Sequence, residues 1–570
     1  MSKLVYEYFD YQNTYEEKYG ENTIVLMQVG SFFEFYGLNN SKHNNNNLYA
    51  VAKILGFSIA KKGNDVLMAG VPKYAIEKHL NKLIDNNYTV IIIEQIGDDK
   101  KYPERKITAK LSPGTYINNI SLNPNYLICV YIECSEIGEN NNIMEVGISC
   151  IDLSTGTNII YEIPYDSKDK NYNIDELYKF VNSYLPKEII ISFINVCETQ
   201  QKLIINSLEI NERIIKKINY SSDYRKLEVQ ENILKKVFNE ATCLNIFEYL
   251  NINRLQIGIY SYIHLLIFIQ EHDNSKLLNL NKPLIYTNDK ILNLNRSTIF
   301  RLNIIENTTQ ENDTNVKSLL NIVDMTVSNI GKRILKNRLL FPITNIDVLN
   351  NRYNLAEYYI NNKEYLQLFK DQLKNISDIE RLNRRISILK LDKENDLLNF
   401  YISIDYLLKI VNSIDSDLFK LININEEDKE EFNNLYEEFV KIFKVSNLYK
   451  RTINIFNEDV FEDIDNASKT YEKYKSMFYT ICYEFSNIIK KTDKKTYGDS
   501  ELLVEYEWND RDSVYYVSTT DARHKKLKLG LDKYKKCIIK NEVYDYNFEI
   551  KASSLKYKNT SAGGKTKIIN

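Results

Sequence analysis

Nine positions from Val460 to Ile488 (Val460, Ile464, Ala467, Tyr471, Tyr474, Phe478, Ile481, Phe485 and Ile488) alternate steps of four and three. A seam of this kind, sustained over about four heptads, predicts one helix with an apolar stripe along a single side. At the usual rise per residue such a helix spans roughly 40 Å. That is too long to be buried in a compact domain, so the helix is expected to act as a lever packed along one flank. The chain around it has 570 residues, which divides into about four domains. Only 8 prolines and 17 glycines fit long helices and few structureless linkers. The stretch 425–446, NEEDKEEFNNLYEEFVKIFKVS, supplies an acidic amphipathic helix to lie near the lever.

Composition excludes several classes. Hydrophobic residues at 44% and charged residues at 26% are ordinary for a soluble globular protein. A net charge of -3 carries no global polycation signature, so any nucleic-acid surface has to be a local patch. The seven cysteines (Cys129, Cys134, Cys150, Cys197, Cys243, Cys482 and Cys537) form no CxxC pair and, with five scattered histidines, give no zinc spacing. Their odd number argues against a disulfide framework and for free thiols in a reducing compartment. The start MSKLVYEYFD has no signal-peptide pattern, and no 18-residue apolar run occurs anywhere. The expectation is a soluble intracellular protein without a membrane partner. Tyr at 44 copies against one Trp, amid many Asn, Ile and Lys, points to an AT-rich coding sequence.

Near the other end, Val25 to Tyr36 reads VLMQVGSFFEFY: an apolar strand broken by Gly30, then aromatics around one carboxylate, Glu34. Aromatics on both alternating faces mean that at least one is buried unusually or held out for a partner. Residues 1–22 read as a helix leading into this strand, and 39–47 (NNSKHNNNN) as a polar loop. VLMAGVP (66–72) reads as a strand, 75–86 as an amphipathic helix and YTVIIIEQI (88–96) as a buried strand. Together they make a small α/β domain.

The fragments VGSFFEFYG, MAGVPKYAIEKHLNKL, IIIEQIGDD and PERKITAKLSPGT (103–115) occur in the order and spacing of the mismatch-binding domain of the MutS family, which this chain resembles. Downstream, SLLNIVDMTVSNIGKRILKNRLLFPITNIDVLNNR resembles the start of the MutS core domain, with Asp324, Thr326, Gly331, Lys332, Arg333, Leu335 and Pro342 in the expected order. Physically this is a helix from near Ser318, a turn, and a second helix ended by Phe341-Pro342. Its basic residues are read as scaffold, by packing and solvated charge.

The resemblance implies a multidomain α/β + α protein. Its parts are a small mixed α/β mismatch-binding domain (1–118), an RNase H-like α/β connector (124–272), a long-helix core/lever domain (280–500) and a small β clamp (501–570). In the family the Phe of a Phe-x-Glu motif wedges into the duplex at a mispair and the Glu contacts the displaced base. Here those positions are Phe32 and Glu34, while Phe33, Phe35 and Tyr36 are left to the core. Ser31 departs from the acidic residue common after the glycine. In the connector, YLICVYIEC (126–134) and IMEVGISCIDLSTG (143–156) read as a hairpin, followed by the strand EIIISF (188–193). A lone Asp152 at a strand end has no companion carboxylates for metal binding and is read as structural.

LLVEYEWNDRDSVYYVSTT (502–520) reads as two alternating strands about a turn at Asn509-Asp510. From Asp521 to Asn570, thirteen Lys/Arg face five acids, a local balance of +8. Lys525, Lys526, Lys528, Lys533, Lys535 and Lys536 are the candidates for backbone phosphate contact. The nearest approach to a Walker A loop, Ala562-Gly563-Gly564-Lys565-Thr566, would need its first glycine at Asn559 and a following helix, so it is read as chance. Full-length relatives use ATP and Mg; for this chain no catalytic residue, metal or cofactor is expected. The chain resembles the N-terminal half to two-thirds of a MutS protein, and its Asn/Ile/Lys/Tyr bias suits a large-virus or organellar homologue. The expected partner is double-stranded DNA with mismatches, together with a second copy or a separate ATPase-bearing subunit. Two alternatives stand beside mismatch recognition. One is a non-catalytic DNA- or partner-binding scaffold; the other is a nuclease on the connector, which would need a carboxylate cluster not found in the sequence.

Overall fold

The computed structural model describes residues 3–38, 46–62, 66–96, 104–117, 124–136, 142–165, 169, 171–239, 245–287, 292, 294, 296–305, 318–392, 395–451, 454–493, 498, 501–509, 514–534, 536–541, 544–551, 555–559 and 565–569. They fall into two units, Met1–Tyr436 and Glu437–Asn570.

The first unit begins with α1 (Lys3–Tyr19), β1 (Thr23–Val29), β2 (Phe32–Leu38), α2 (Asn46–Leu55), β3 (Ala60–Lys61), β4 (Val66–Pro72), α3 (Ile76–Asp85), β5 (Thr89–Ile96) and β6 (Glu104–Leu111). The strands form one sheet in the order β3-β4-β2-β1-β5-β6. Only β1 and β5 run parallel here. Their continuous apolar runs suit a parallel pair covered on both faces. The helix–strand–strand–helix–strand reading of this region matches the elements seen. Helix α2 and strands β3 and β6 went unforeseen, and β2 was read only as an aromatic cluster after β1; α2 was hidden because its first turn starts inside the asparagine run. Most of the expected loop, residues 39–45, lies outside the described residues.

A second six-stranded sheet follows. Its elements are β7 (Tyr126–Glu136), β8 (Asn142–Asp152), β9 (Thr157–Ile163), α4 (Tyr172–Tyr184), β10 (Glu188–Ile194), α5 (Glu198–Ser207), β11 (Ile215–Lys217), α6 (Leu227–Phe238), α7 (Ile246–Tyr249), α8 (Gln256–Asp273) and β12 (Leu284–Ile285), with strand order β11-β10-β7-β8-β9-β12. Helix α8 is apolar almost all round and is buried along most of its length. Its N-terminus is seated by two devices. The Glu162 carboxylate accepts from the N–H groups of Ile257 (2.7 Å) and Gly258 (2.9 Å). A Cβ on Gly147 would lie 2.2 Å from the Ile257 carbonyl oxygen, so only glycine allows this approach. The two sheets are tied together by a buried carboxylate. Glu188 accepts from Ser112 Oγ at 2.6 Å and Gly114 N at 2.9 Å and is ion-paired with Lys216, which also donates to Thr89 at 2.6 Å.

The rest of the unit is helical: α9 (Arg296–Arg301), α10 (Leu319–Val323), α11 (Asn329–Leu340), α12 (Ile346–Asn361), α13 (Lys363–Leu373), α14 (Ile379–Ser387), α15 (Asp396–Ser413), α16 (Ser416–Ile422) and the first part of α17 (Glu426–Ile442), whose last residues belong to the second unit. The Ser318 and Ser328 hydroxyls cap α10 and α11, and α11 stops at Phe341 before Pro342. Arg333 departs from a solvated charge. It is buried and forks onto Asp378 and Glu380 at the start of α14. Arg384 is buried as well, donating to the carbonyls of Lys276 (2.6 Å), Leu278 (2.6 Å) and Asn279 (3.1 Å).

The second unit holds α18 (Val445–Lys450), α19 (Glu462–Thr492), β13 (Glu505–Asn509), β14 (Val514–Thr520), α20 (Asp521–Tyr534), β15 (Lys536–Asn541), β16 (Tyr546–Lys551), β17 (Lys556–Asn559) and β18 (Lys565–Ile569). The long helix expected from the heptads is α19, with 31 residues and a length of about 46 Å. Val460 lies just before it. The apolar seam is buried unevenly: Tyr474 is 56% exposed, whereas Phe485 is 1% exposed. The last turns pack with Leu527 and Leu531 of α20 and Ile539 of β15 in one core. Helix α20 went unforeseen in a segment expected to be β. Its LKLGL alternation hides an i,i+4 pair, Leu527 and Leu531, and Gly530 lets it close on α19, where a Cβ would stand 2.3 Å from Ile488.

Candidate nucleic-acid interface

The end of the first sheet is built by a two-residue turn. Val29 and Phe32 are paired across it, leaving Gly30 and Ser31 at the tip. Gly30 has φ +62°, as the first central position of a type II′ hairpin turn requires. Side-chain amides from β1 and β5 brace the turn. Gln28 Nε2 donates to the Gly30 carbonyl at 3.0 Å, Gly30 N donates to Gln95 Oε1 at 3.3 Å, and Gln95 N donates to Gln28 Oε1 at 3.1 Å. On the far side, Lys73 N donates to the Ser31 carbonyl at 2.9 Å.

Strand alternation then sorts the aromatics. Phe33 (2% exposed) and Phe35 (0%) point into the core, as expected. Phe32, Glu34 and Tyr36 share the other face. Tyr36 is buried against Tyr8 of α1, with ring centroids 5.0 Å apart. Phe32, by contrast, is 47% exposed at the rim of the sheet. It is the aromatic of the cluster that stands out of the core.

Glu34 is not a surface carboxylate. It is buried, accepts from the Tyr36 hydroxyl, and is ion-paired with Lys62 at 2.6 Å. Lys62 also donates to the Tyr36 hydroxyl at 3.1 Å and stands 5.0 Å from its ring centre. Burial first, and the Glu34 hydrogen bond second, push the Tyr36 phenol above its ordinary range, so it stays a protonated donor. Gly70 is the cross-strand partner of Glu34, and an added Cβ would come within 3.5 Å of Glu34 Cγ. Lys62 and the Gln28/Gln95 brace were missed in the sequence, where a lysine in KKG and two isolated glutamines carry no spacing signal.

The basic segment of the second unit behaves differently residue by residue. Lys525, Lys528 and Lys533 are exposed on the side of α20 away from buried Leu527 and Leu531. Lys526 is half-buried and paired with the buried Asp493 carboxylate. Lys535 lies outside the described residues, and Lys536 opens β15, its side chain likewise outside them. Phe32 and Glu34 are brought together on one strand face; the lysines form a separate group.

Among the described residues no cluster of three or more His, Cys, Asp or Glu is placed to hold a metal ion. Asp152 is buried and bonded to Ser154 N (2.9 Å) and Oγ (2.7 Å), a turn-forming role. Lys565 and Thr566 of the Walker-like string open strand β18, paired to β14 and β17. A phosphate-binding loop leads into a helix N-terminus, so these residues do not fit a nucleotide. No helix among the described residues is long and apolar enough to cross a membrane. The site therefore offers a shaped, partly apolar rim beside a compensated carboxylate.

The sequence profile of MutS domain I matches residues 10–119, and that of MutS domain III matches residues 297–507. Over these two stretches the chain shows homology to MutS domains I and III. A putative DNA mismatch repair protein of Acanthamoeba polyphaga mimivirus, a mutS homologue, is 30% identical over 99% of this chain and 53% of its own length. The DNA mismatch repair protein MutS of Petrotoga mobilis is 25% identical, covering 96% of this chain and 63% of its own length. That of Caldanaerobacter subterraneus is 26% identical over 89% and 54%. The chain thus spans between half and two-thirds of the length of these MutS relatives. Phe32, Glu34, Gly70 and Lys62 all lie inside the MutS domain I match, and no GxxxxGK[ST] string occurs in the 570 residues.

Proposed function

We propose that this chain recognises mispaired or unpaired bases in double-stranded DNA for mismatch repair, with Phe32 as a wedge that enters the duplex at a kinked step. The observation that carries the reading is the half-exposed Phe32 ring on a braced turn, beside aromatics that are all buried. A mispaired step stacks poorly and kinks at lower cost than a matched one, where unstacking takes roughly a few kcal/mol. An aromatic wedge regains stacking worth about 1–3 kcal/mol on one base face. Glu34, on the same strand face, meets the displaced base edge, with the Lys62 ammonium limiting its repulsion of phosphates. Lys525, Lys528 and Lys533, with Lys535 and Lys536, supply sequence-independent backbone contact, while Lys526 is held by Asp493.

In this reading residues 1–118 are the mismatch-binding domain, 124–272 an RNase H-like connector, 280–500 the core and lever, and 501–570 the clamp. The chain works with a second copy or with an ATPase-bearing subunit. A scaffold that binds DNA or partners without reading mismatches is the second reading. It is favoured by the Glu34 carboxylate already being occupied by Lys62 and Tyr36.

The test is titration of a duplex carrying one G·T mispair and of its matched counterpart across salt, with wild type and Phe32→Ala. A mismatch preference abolished by Phe32→Ala is expected. Equal, strongly salt-dependent binding of both duplexes by both proteins would leave the scaffold reading.

A further inference from the structure

The topology gathers several chain ends at one edge of the first sheet. Strand β1 ends there and β2 begins; β4 ends; β5, parallel to β1, ends; β6 begins. Among the described residues of this part of the chain five large hydrophobics are exposed, and three of them fall on this edge: Phe32 (47%), Tyr74 (93%) and Ile96 (41%). Tyr74 is the most exposed of them by a wide margin.

Its backbone is nevertheless firmly held. Phe32 pairs with Pro72, and Tyr74 sits two residues on, in the short 3-10 turn Lys73–Ala75 that leads into α3. The Lys73 N–H bond to the Ser31 carbonyl (2.9 Å) ties that turn to the hairpin tip. With paired strands about 5 Å apart, the Tyr74 and Phe32 backbones lie within roughly 10 Å of each other, a span of about three base steps. The Lys73 ammonium is half-exposed and held only loosely by Glu94 at 3.4 Å, so a phosphate can replace that partner.

A ring almost wholly in water on a rigid backbone contributes nothing to the core. A tyrosine presents an apolar body with a polar tip, which suits a surface that is apolar along sugars and base edges and polar at the phosphates. We infer that Tyr74 is a second DNA-contacting aromatic, lining the groove that a kink opens beside Phe32 and adding to discrimination of the kinked, mispaired duplex. Because this rests on the DNA reading proposed for Phe32, the experiment has to separate the two.

The full chain is titrated with a G·T duplex and its matched counterpart at one fixed salt concentration, as wild type, Phe32→Ala, Tyr74→Ala and Tyr74→Phe. Removing one base-contacting aromatic is expected to weaken mispair binding about tenfold in Tyr74→Ala. Matched-duplex binding should change by less than about twofold, and Tyr74→Phe should retain most of the mispair affinity. A Tyr74→Ala protein that keeps wild-type preference while Phe32→Ala loses it overturns the role of Tyr74 alone. Equal weakening of both duplexes by Tyr74→Ala overturns its part in discrimination. Wild type without any preference overturns both the wedge and its neighbour.

Discussion

Lys62 Nζ lies 2.6 Å from a Glu34 carboxylate oxygen, so the acidic residue of the rim is charge-compensated before any ligand arrives. Glu34 is buried while the Lys62 side chain is 38% exposed, and solvent screening limits what the pair contributes. Lys62→Met leaves a buried carboxylate with Tyr36 alone. A loss of about 1–2 kcal/mol in urea unfolding is expected, with part of it restored in the Lys62→Met/Glu34→Gln double variant. Additive losses in that cycle would mean the two groups do not interact in solution.

Gly30 at φ +62° sets the tip that carries Phe32. Space for a Cβ exists there, so the cost of Gly30→Ala is conformational rather than steric against neighbours. It should be about 1–2 kcal/mol by thermal unfolding. Mismatch preference should fall with it, since the turn can no longer hold Phe32 in place.

Arg333 is buried and forks onto Asp378, itself largely buried, and Glu380, which is half-exposed. Burial works against its charge, but the hydrogen bonds and charges of Asp378 and Glu380 together outweigh it and raise the pKa of the guanidinium. Arg333→Met should destabilise the first unit by about 2–3 kcal/mol, because Asp378 loses its forked partner and keeps only the longer contact to Arg381 at 3.6 Å. Arg333→Lys should recover little, as an ammonium cannot bridge both carboxylates in a fork. Chemical unfolding of the two variants separates charge from geometry.

His264, on α8, is buried against the second sheet, with Ser192 Oγ 3.0 Å from Nδ1, and Tyr131 and Tyr220 against its ring. Burial, and then the nearby Arg225 charge, push its imidazole down to about 4. The folded state thus holds it neutral, while the unfolded chain takes up the proton near its ordinary value of about 6.5. Between those two values the unfolded state binds more protons, so stability drops as pH falls from about 6.5 toward 4. Unfolding curves at stepped pH should show this slope, and His264→Phe should flatten it.

Lys525 and Lys528 are exposed on α20, whereas Lys526 is engaged by Asp493. If the exposed pair neutralises phosphates, Lys525→Gln and Lys528→Gln should each reduce the slope of log affinity against log salt by about 0.9. Lys526→Gln should change that slope little and lower stability instead. Identical slopes for all three variants would show that this helix face does not meet the backbone.

Much of this architecture was legible in the chain because single periodicities dominate it. The 3-4 spacing of 460–488 marks α19, and the β-branched run at 89–93 marks a buried strand. The burial of Phe33, Phe35 and Tyr36 followed from reading the cluster as mostly core. What stayed hidden depends on residues far apart in sequence. Lys62 meets Glu34 from 28 positions away, and Gln95 meets Gly30 from 65. No local pattern encodes either contact. Helix α20 was concealed for another reason: LKLGL satisfies two periods at once, and close contact with α19 decides between them.

The braced two-residue turn has a consequence for how this rim tolerates change. Side chains alternate with period two along β2, so identity on each face is a matter of odd and even count from Gly30. One inserted or deleted residue in the turn would turn Phe33 outward and Phe32 inward, and would move Glu34 away from Lys62. The composition of FFEFY would survive such a change untouched while its meaning was lost. What faces solvent here is stored as parity, and the Gln28 and Gln95 amides act as its check digit.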